Sequence, residues 1–198
     1  MSRLTLHTLQ SAPEAAKPFL ENAQKNSGFL PNLLALLANA PAALETYVTV
    51  SALNGKAELS LAEREVVQLI AATTHGCDFC VAGHTSVAVN KAKLPDEVVR
   101  ALREQATVPE VKLEALAAFA REVIATRGNV NDTIYSAFKT AGYSEGNALE
   151  VILGVSLATL CNFANVFAGT PLNPELAKYR WQSGNDSAGS IRALKYGR

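Results

Sequence analysis

Apolar residues recur along this chain at the three- and four-residue spacing of helices, and no segment shows the period-two alternation of a β-strand. Pro residues stand at several predicted helix starts and Gly residues directly after several predicted ends, which is the usual arrangement around helices. The pattern therefore predicts an all-α fold. The predicted helices begin near residues 13, 33, 41, 60, 77, 95, 109, 131, 144 and 175.

The segment from Ser60 to His84 carries the clearest local signals. Ser60 can cap a helix, and Glu63, three residues later, can accept a hydrogen bond from the Ser60 amide in a capping box. Neither Gly nor Pro follows until Gly76, where we expect the helix to pause. A second helix is predicted to begin near Cys77. The segment thus predicts two consecutive helices joined by a very short connection.

Four side chains of this segment can form a reactive site. Cys77, Cys80 and His84 have the spacing that places residues on one face of a helix. Two thiols one turn apart can form a disulfide, and a helix N-terminus and a nearby His both lower the pKa of a thiol. Glu65 lies on an apolar arc of the preceding helix, so its carboxylate needs a partner. The short connection can bring His84 or the thiols to it.

Other interpretations of these residues are open at this point. The two cysteines can be small buried apolar residues, and Glu65, Cys77, Cys80 and His84 together offer four ligands for zinc. Structural zinc sites usually draw on a second ligand pair, and the chain has no other Cys-x-x-Cys. Cys161 has no neighbouring thiol in the sequence, and we interpret it as a packing residue.

The spacing of the four residues resembles the AhpD-like (alkyl hydroperoxidase D-like) branch of the carboxymuconolactone decarboxylase family. In that pattern a Glu stands twelve residues before the first Cys of Cys-x-x-Cys, and a His stands four residues after the second. The resemblance is strongest over residues 60–84, and residues 28–41 are also similar to peroxidase-related members. The best-known members carry a His directly before the second Cys, where this chain has Phe79. The resemblance implies an AhpD-like helical bundle.

The resemblance also implies a thiol-dependent peroxidase or disulfide reductase that reduces hydroperoxides in antioxidant defence. Cys80 would attack the peroxide, Cys77 would be the resolving thiol and proton donor, His84 would accept the proton, and Glu65 would complete the relay. The position at the helix N-terminus alone favours Cys77 as the more acidic and accessible thiol. An external dithiol, of protein or lipoyl type, would restore the enzyme. No cofactor is required, and a homo-oligomer, either a trimer or a hexamer, is expected.

Two alternative functions stand beside this one. The first is a lactone enzyme of the carboxymuconolactone decarboxylase type, which has no evident use for a vicinal thiol pair. The second is a non-enzymatic redox-sensing protein whose disulfide state switches an interface. Steady turnover of peroxide with an added dithiol would separate an enzyme from a sensor.

A shift of 85 residues predicts an internal repeat, with units at about 41–93 and 109–170. The shift aligns the carboxylate and thiol positions of the central segment with polar residues of the last long helix. The aligned pairs include Glu65 with Glu150, Cys77 with Asn162, and Cys80 with Asn165. The two Asn residues are interpreted as structural. Residues 1–182 would form a single domain, and residues 183–198, rich in Gly, Ser and Asn, are expected to be flexible.

Composition excludes several classes of function. Lys plus Arg and Asp plus Glu each number 18, so the formal net charge is zero, and no basic stripe suited to nucleic acid is present. An odd count of three cysteines without a secretion signal argues against a disulfide framework, and we expect a cytoplasmic protein. Polar residues and Gly interrupt every long apolar stretch, so we expect no membrane span.

Overall fold

A computed structural model describes residues 2–182, and every regular element among them is helical. This confirms the predicted all-α fold, while the tail predicted to be flexible, residues 183–198, lies outside the described residues. Short 3₁₀ helices cover Glu14–Ala16 and Pro174–Tyr179. The α-helices are α1 (Lys17–Ser27), α2 (Asn32–Leu37), α3 (Pro41–Asn54), α4 (Leu61–Thr74), α5 (Asp78–Asn90), α6 (Asp96–Arg103), α7 (Val111–Thr126), α8 (Asp132–Thr140) and α9 (Glu145–Ala168).

Local capping sets the start of the helix that carries the predicted relay carboxylate. The Ser60 Oγ accepts a hydrogen bond from the Glu63 amide at 3.2 Å, and the Glu63 Oε2 accepts one from the Ser60 amide at 2.8 Å. This is the predicted capping box of α4. At the other end, Gly76 adopts a φ of 69°, a left-handed conformation that favours Gly. The chain can therefore reverse there and start α5 two residues later.

Helix α4 lies at the centre of the bundle. It contacts α5, α6, α7 and α9, and its apolar side chains from Val66 to Ala72 are almost completely excluded from solvent, with Val66, Leu69 and Ala72 at 0% exposure. Burial on this scale contributes about 1.5–3 kcal/mol for each large aliphatic side chain. Local signals fix both ends of α4, so the helices packed around it have defined positions.

The long helix α9 packs closely against α4. A Cβ atom added at Gly154 would lie 3.1 Å from the Val67 Cγ1 atom, so the two helices approach each other where α9 has no side chain. At the same contact the Gln68 Nε2 donates a hydrogen bond to the Gly154 carbonyl oxygen at 3.0 Å. The close approach places the C-terminal half of α9 alongside the start of α5, where both predicted reactive cysteines lie.

Glu150, the residue aligned with Glu65 by the predicted repeat, has a structural task. Its carboxylate accepts hydrogen bonds from the Glu58 amide at 2.7 Å and the Leu59 amide at 3.0 Å. Burial of the carboxylate acts to raise its pKa. The hydrogen bonds from the two backbone amides outweigh this effect, so the pKa of Glu150 is lowered. Glu150 thus ties α9 to the loop before α4. The two-unit repeat itself stays a prediction.

The helix predicted to begin near residue 175 is present, but it is not an α-helix. The segment Pro174–Tyr179 is a 3₁₀ helix, and it ends before Trp181. The Trp181 Nε1 instead donates to the Arg103 carbonyl oxygen at 3.0 Å, and the indole is buried. The Asn173 Nδ2 donates to the Leu30 carbonyl oxygen at 3.1 Å. These contacts hold the segment as a strap across α5.

One helix among the described residues, α9, is long and apolar enough by composition to cross a membrane. Polar residues interrupt this stretch, and the sequence therefore predicts no membrane span here. Helices at the centre of folded domains meet the same length and hydropathy test, and 44% of the apolar window of α9 is buried against the rest of the protein. The test is therefore weak support for a membrane span. The apolar residues of α9 also pack against α4, α3 and α2.

Candidate active site

The two cysteines of the central segment are bonded to each other. Cys77 is the N-cap residue of α5, its Sγ is bonded to the Cys80 Sγ, and the two Cα atoms lie 5.3 Å apart. The Cys77 Sγ also accepts a hydrogen bond from the Cys80 amide at 3.2 Å. Both residues are buried, with exposures of 1% for Cys77 and 5% for Cys80. The pair can thus exist as a dithiol or as a disulfide without rearrangement of the helix.

The reversal at Gly76 brings the predicted carboxylate and imidazole together. The His84 Nδ1 lies 2.9 Å from the Glu65 Oε2, a hydrogen-bonding distance between α5 and α4. Glu65 is only 6% exposed, whereas the His84 side chain is 31% exposed. Of the partners that the sequence left open for Glu65, the structure gives it the imidazole. Because the carboxylate holds Nδ1, the Nε2 of the ring is left to face other groups.

A cavity of about 690 Å³ opens beside this pair. Its wall includes Glu65, Cys80 and His84, but Cys77 is not part of it. The expectation from the helix terminus, that Cys77 is the more accessible thiol, is therefore wrong in this structure: Cys77 turns its sulfur toward the first turn of α5. The rest of the wall is mixed. Its apolar side chains include Phe29, Leu33, Leu34, Leu61, Phe79, Leu157 and Leu176, and its polar ones include Asn26, Ser27, Asn54, Arg64, Gln68, Asn90 and Lys91.

The cavity wall also contains three residues that the sequence does not connect with the site. Tyr47 and Gln68 line it from α3 and α4, and Cys161 lines it from α9. Burial, followed by the nearby Cys161 and Glu65, raises the pKa of the Tyr47 hydroxyl. Burial also raises the pKa of the Cys161 thiol to about 12, so this thiol is protonated at neutral pH. Nothing local in the sequence signals that these residues share a cavity with Cys80.

Two asparagines of α9 reach the central segment. The Asn165 Nδ2 lies 3.3 Å from the Cys80 Sγ, and the Asn162 Oδ1 lies 3.1 Å from the His75 Nδ1. The sequence alone predicts a structural role for both. The 85-residue shift that aligns Asn165 with Cys80 was the one signal that connected them.

The position occupied by His in the best-known relatives is apolar here. Phe79 is 8% exposed and contributes its ring to the cavity wall. The other nearby imidazole, His75, is not on that wall; its ring lies edge-on to Phe163, with the ring centroids 5.0 Å apart. His84 is thus the imidazole that faces the cavity together with Cys80.

The described residues give no support to the zinc alternative. Among residues 2–182, no group of three or more His, Cys, Asp or Glu side chains is arranged to hold a metal ion. The Cys77 and Cys80 sulfurs face each other, and the His84 imidazole is engaged with Glu65. The arrangement is suited to thiol and proton chemistry.

One protein-family model matches part of this chain. Residues 39–122 match the model of the carboxymuconolactone decarboxylase family. This range contains all four predicted site residues. Among curated proteins, none matches this sequence significantly.

Solved structures share the fold. A peroxidase-related protein with an alkylhydroperoxidase AhpD core, from Ralstonia eutropha JMP134, superposes with a TM-score of 0.78 at 22% identity, over 88% of this chain and 94% of that one. A peroxidase-related protein from Silicibacter sp. TM1040 gives 0.76 at 16% identity, over 90% and 96%. A variant of the debrominase Bmp8 in complex with 2,3,4-tribromopyrrole gives 0.73 at 16% identity, over 90% and 96%.

These findings confirm the resemblance drawn from the cysteine motif. Residues 39–122 match the model of the carboxymuconolactone decarboxylase family. The helical fold is shared with solved structures that include one with an AhpD core.

The cysteine geometry generates a prediction about oxidation. Mild oxidation of the reduced protein should link Cys77 to Cys80 within one chain, because their sulfurs are within bonding reach and Cys161 is free and buried. After reduction, Cys161 in the folded protein should resist iodoacetamide at pH 8, since its thiol pKa is about 12. Peptide mass mapping before and after unfolding measures both outcomes. A dominant linkage through Cys161 would contradict the assignment.

Proposed function

We propose that the protein is a thiol-dependent peroxidase that reduces hydroperoxides with the Cys77–Cys80 pair. The observation that carries the proposal is that Cys80 and the hydrogen-bonded pair Glu65–His84 line the same cavity. Cys77 is bonded to Cys80 but does not line that cavity. A nucleophilic sulfur, a proton acceptor and a second thiol are the three groups that a two-cysteine peroxidase needs.

The reaction balances with these groups alone. The Cys80 thiolate attacks one oxygen of the hydroperoxide, the O–O bond breaks, and the alkoxide leaves as the alcohol after taking up a proton. Cys80 becomes a sulfenic acid, and the Cys77 sulfur displaces its hydroxyl group to form the disulfide and water. Two thiols and one hydroperoxide thus give one disulfide, one alcohol and one water.

The Glu65–His84 pair has a defined part in this scheme. With Nδ1–H donated to the Glu65 carboxylate, His84 keeps Nε2 free to accept the Cys80 proton. The carboxylate then stabilises the charged imidazolium. The same proton is available to the departing alkoxide. No metal or organic cofactor enters the scheme.

An external dithiol must then restore the enzyme. Because Cys80 and not Cys77 is on the cavity wall, an incoming thiolate would reach the Cys80 sulfur first and form a mixed disulfide there. The second thiol of the reductant resolves that intermediate and leaves both protein thiols reduced. A protein dithiol or a lipoyl-type dithiol satisfies this requirement, and a cytoplasmic location supplies such reductants.

The alternatives differ in what they require of the site. A lactone decarboxylase gives no task to the bonded cysteine pair, and a redox sensor gives none to a cavity beside Cys80. The debrominase among the solved structures shows that the fold accommodates a different reaction in another protein. Catalytic peroxide consumption is the property that separates the proposed function from these.

We also propose that copies of the chain assemble into a trimer or hexamer. The exposed face of α9 carries an apolar stripe, since Leu149, Ile152, Phe163 and Phe167 are 40–69% exposed and recur at helical spacing. A stripe of this kind is typical of an interface between protein chains. The zero net charge leaves no overall repulsion between copies.

The first functional prediction concerns turnover. The wild-type protein should consume an organic hydroperoxide continuously when a dithiol such as dihydrolipoamide is added. Cys80→Ser should abolish turnover, because it removes the attacking sulfur. Without the dithiol, Cys77→Ser should consume at most one peroxide equivalent and stop at the sulfenic acid, because no second protein thiol is there to resolve it. A coupled peroxide assay measures the rates, and Cys161→Ser is the matched thiol control that should still turn over. Peroxide stability in the presence of the wild-type protein would overturn the proposal.

The second concerns the relay. Glu65→Gln and His84→Gln should each raise the pH at which Cys80 alkylation is half-maximal and lower the turnover rate by about 10²-fold. The double substitution should cost little more than either one, because the two groups act as a unit. Mass-resolved iodoacetamide labelling across pH measures the first effect. His75→Gln is the control, since His75 is off the cavity wall. Unchanged profiles in both variants would make Glu65 a structural residue.

The third concerns assembly. Light scattering of the wild-type chain should give a mass that is a multiple of 21.0 kDa. Replacing Phe163 and Phe167 together with Lys should dissociate the oligomer, because charges would then be buried in the interface. Val111→Lys is the matched control, since Val111 is an exposed apolar residue on α7, outside the stripe. A 21 kDa species in the wild-type protein would refute the proposal.

A further inference from the structure

A buried amide on α9 is directed at the reactive sulfur. Asn165 is 3% exposed, and its Nδ2 donates to the Cys80 Sγ at 3.3 Å. Its Oδ1 is buried and has no hydrogen-bond partner among the described residues. The side-chain amide therefore directs its N–H group to Cys80, while its oxygen accepts no hydrogen bond from the described residues. An apolar side chain of the same shape would avoid that loss.

The value of this contact depends on the state of Cys80. A disulfide sulfur is a weak acceptor, and so is a protonated thiol. A thiolate carries a full negative charge, and a hydrogen bond to a charged group is roughly twice as strong as one between neutral groups. In a buried site the difference is larger than in water. The Asn165 amide thus favours the ionised form of Cys80 over both of its neutral forms.

We propose that Asn165 is a further catalytic residue, which holds the Cys80 thiolate before it attacks. The proposal rests on the proposed function in one respect, that Cys80 is the attacking sulfur. When Cys80 releases its proton to His84, the Asn165 N–H group donates to the sulfur that has become charged, and no other bond changes. In this chain the Asn165 amide on α9 acts together with the N-terminal end of α5. Phe79, the residue directly before Cys80, supplies no imidazole to the sulfur.

A neighbouring residue on the same helix provides a matched comparison. Asn162 is equally buried, at 1% exposure, and stands one turn earlier on α9. Its Oδ1 contacts the His75 Nδ1 and no thiol. Replacing either Asn removes one buried amide from one helix, but only Asn165 touches the reacting atom. The titratable side chains that share the cavity wall with Cys80 are Tyr47, Arg64, Glu65, His84, Lys91 and Cys161.

The experiment compares Asn165→Leu with Asn162→Leu in the full chain. Without peroxide, the reduced proteins are labelled with iodoacetamide across pH and Cys80 is followed by mass. In Asn165→Leu the half-maximal pH should rise by about one unit, which is the loss of one charge-assisted hydrogen bond. The reduction potential of the Cys77–Cys80 disulfide should become more negative, because the reduced state has lost a stabilising contact. Asn162→Leu should leave the labelling profile of Cys80 unchanged.

The outcomes are decisive even if one variant does not fold. Asn165→Ser is the second variant: its hydroxyl is one bond shorter than the amide, so the same upward shift is expected. A Cys80 profile that matches the wild type in the folded Asn165 variants overturns the proposal, as does an equal shift in Asn162→Leu. Since the labelling uses no peroxide, a wild-type protein that lacks peroxidase turnover overturns the proposed function and leaves this measurement valid.

Discussion

The buried carboxylate of Glu65 is the constraint on which this structure depends. An ionised carboxylate inside a helical core is costly unless a hydrogen-bonding partner is supplied. The partner, His84, is on the next helix, so α4 and α5 must reverse direction within a few residues. Gly76 allows that reversal through its left-handed conformation. The same reversal places the Cys77 N-cap and the first turn of α5 beside α4, and with them the two sulfurs. The polar pair and the thiol site are thus consequences of one turn.

The long helix α9 completes the site from the opposite side. It is held to the start of α4 by the Glu150 carboxylate and to its middle by Gln68 at Gly154. These contacts set how far α9 slides along α4, and so they determine that Asn165 meets Cys80 and that Cys161 faces the cavity. Although the composition of α9 resembles that of a membrane-spanning helix, polar contacts set its position along α4.

Much of the fold was predictable because its signals are local. The capping box at Ser60, the pause at Gly76 and the Cys-x-x-Cys spacing each act within a few residues, and all appear in the structure as expected. The pairing of Glu65 with His84 was one of the options that the sequence left open. Residues brought in from distant helices were not predictable, since no local pattern links Tyr47 or Cys161 to Cys80. A short helix near residue 175 was predicted, but its 3₁₀ form and its packing were not, because its contacts are made to residues far away in the chain.

The two sulfurs have different surroundings because of where α5 begins. A sulfur at the N-cap is close to the positive end of the helix dipole, which favours its thiolate. In this chain that sulfur is Cys77, and it is occupied by the Cys80 amide and excluded from the cavity wall. The helix terminus and the cavity therefore act on different sulfurs, one helical turn apart. Under the proposed function, a Cys77 thiolate would be the leaving group when an external thiol attacks Cys80. Cys77 would then serve disulfide exchange, and Cys80, on the cavity wall, would meet the substrate.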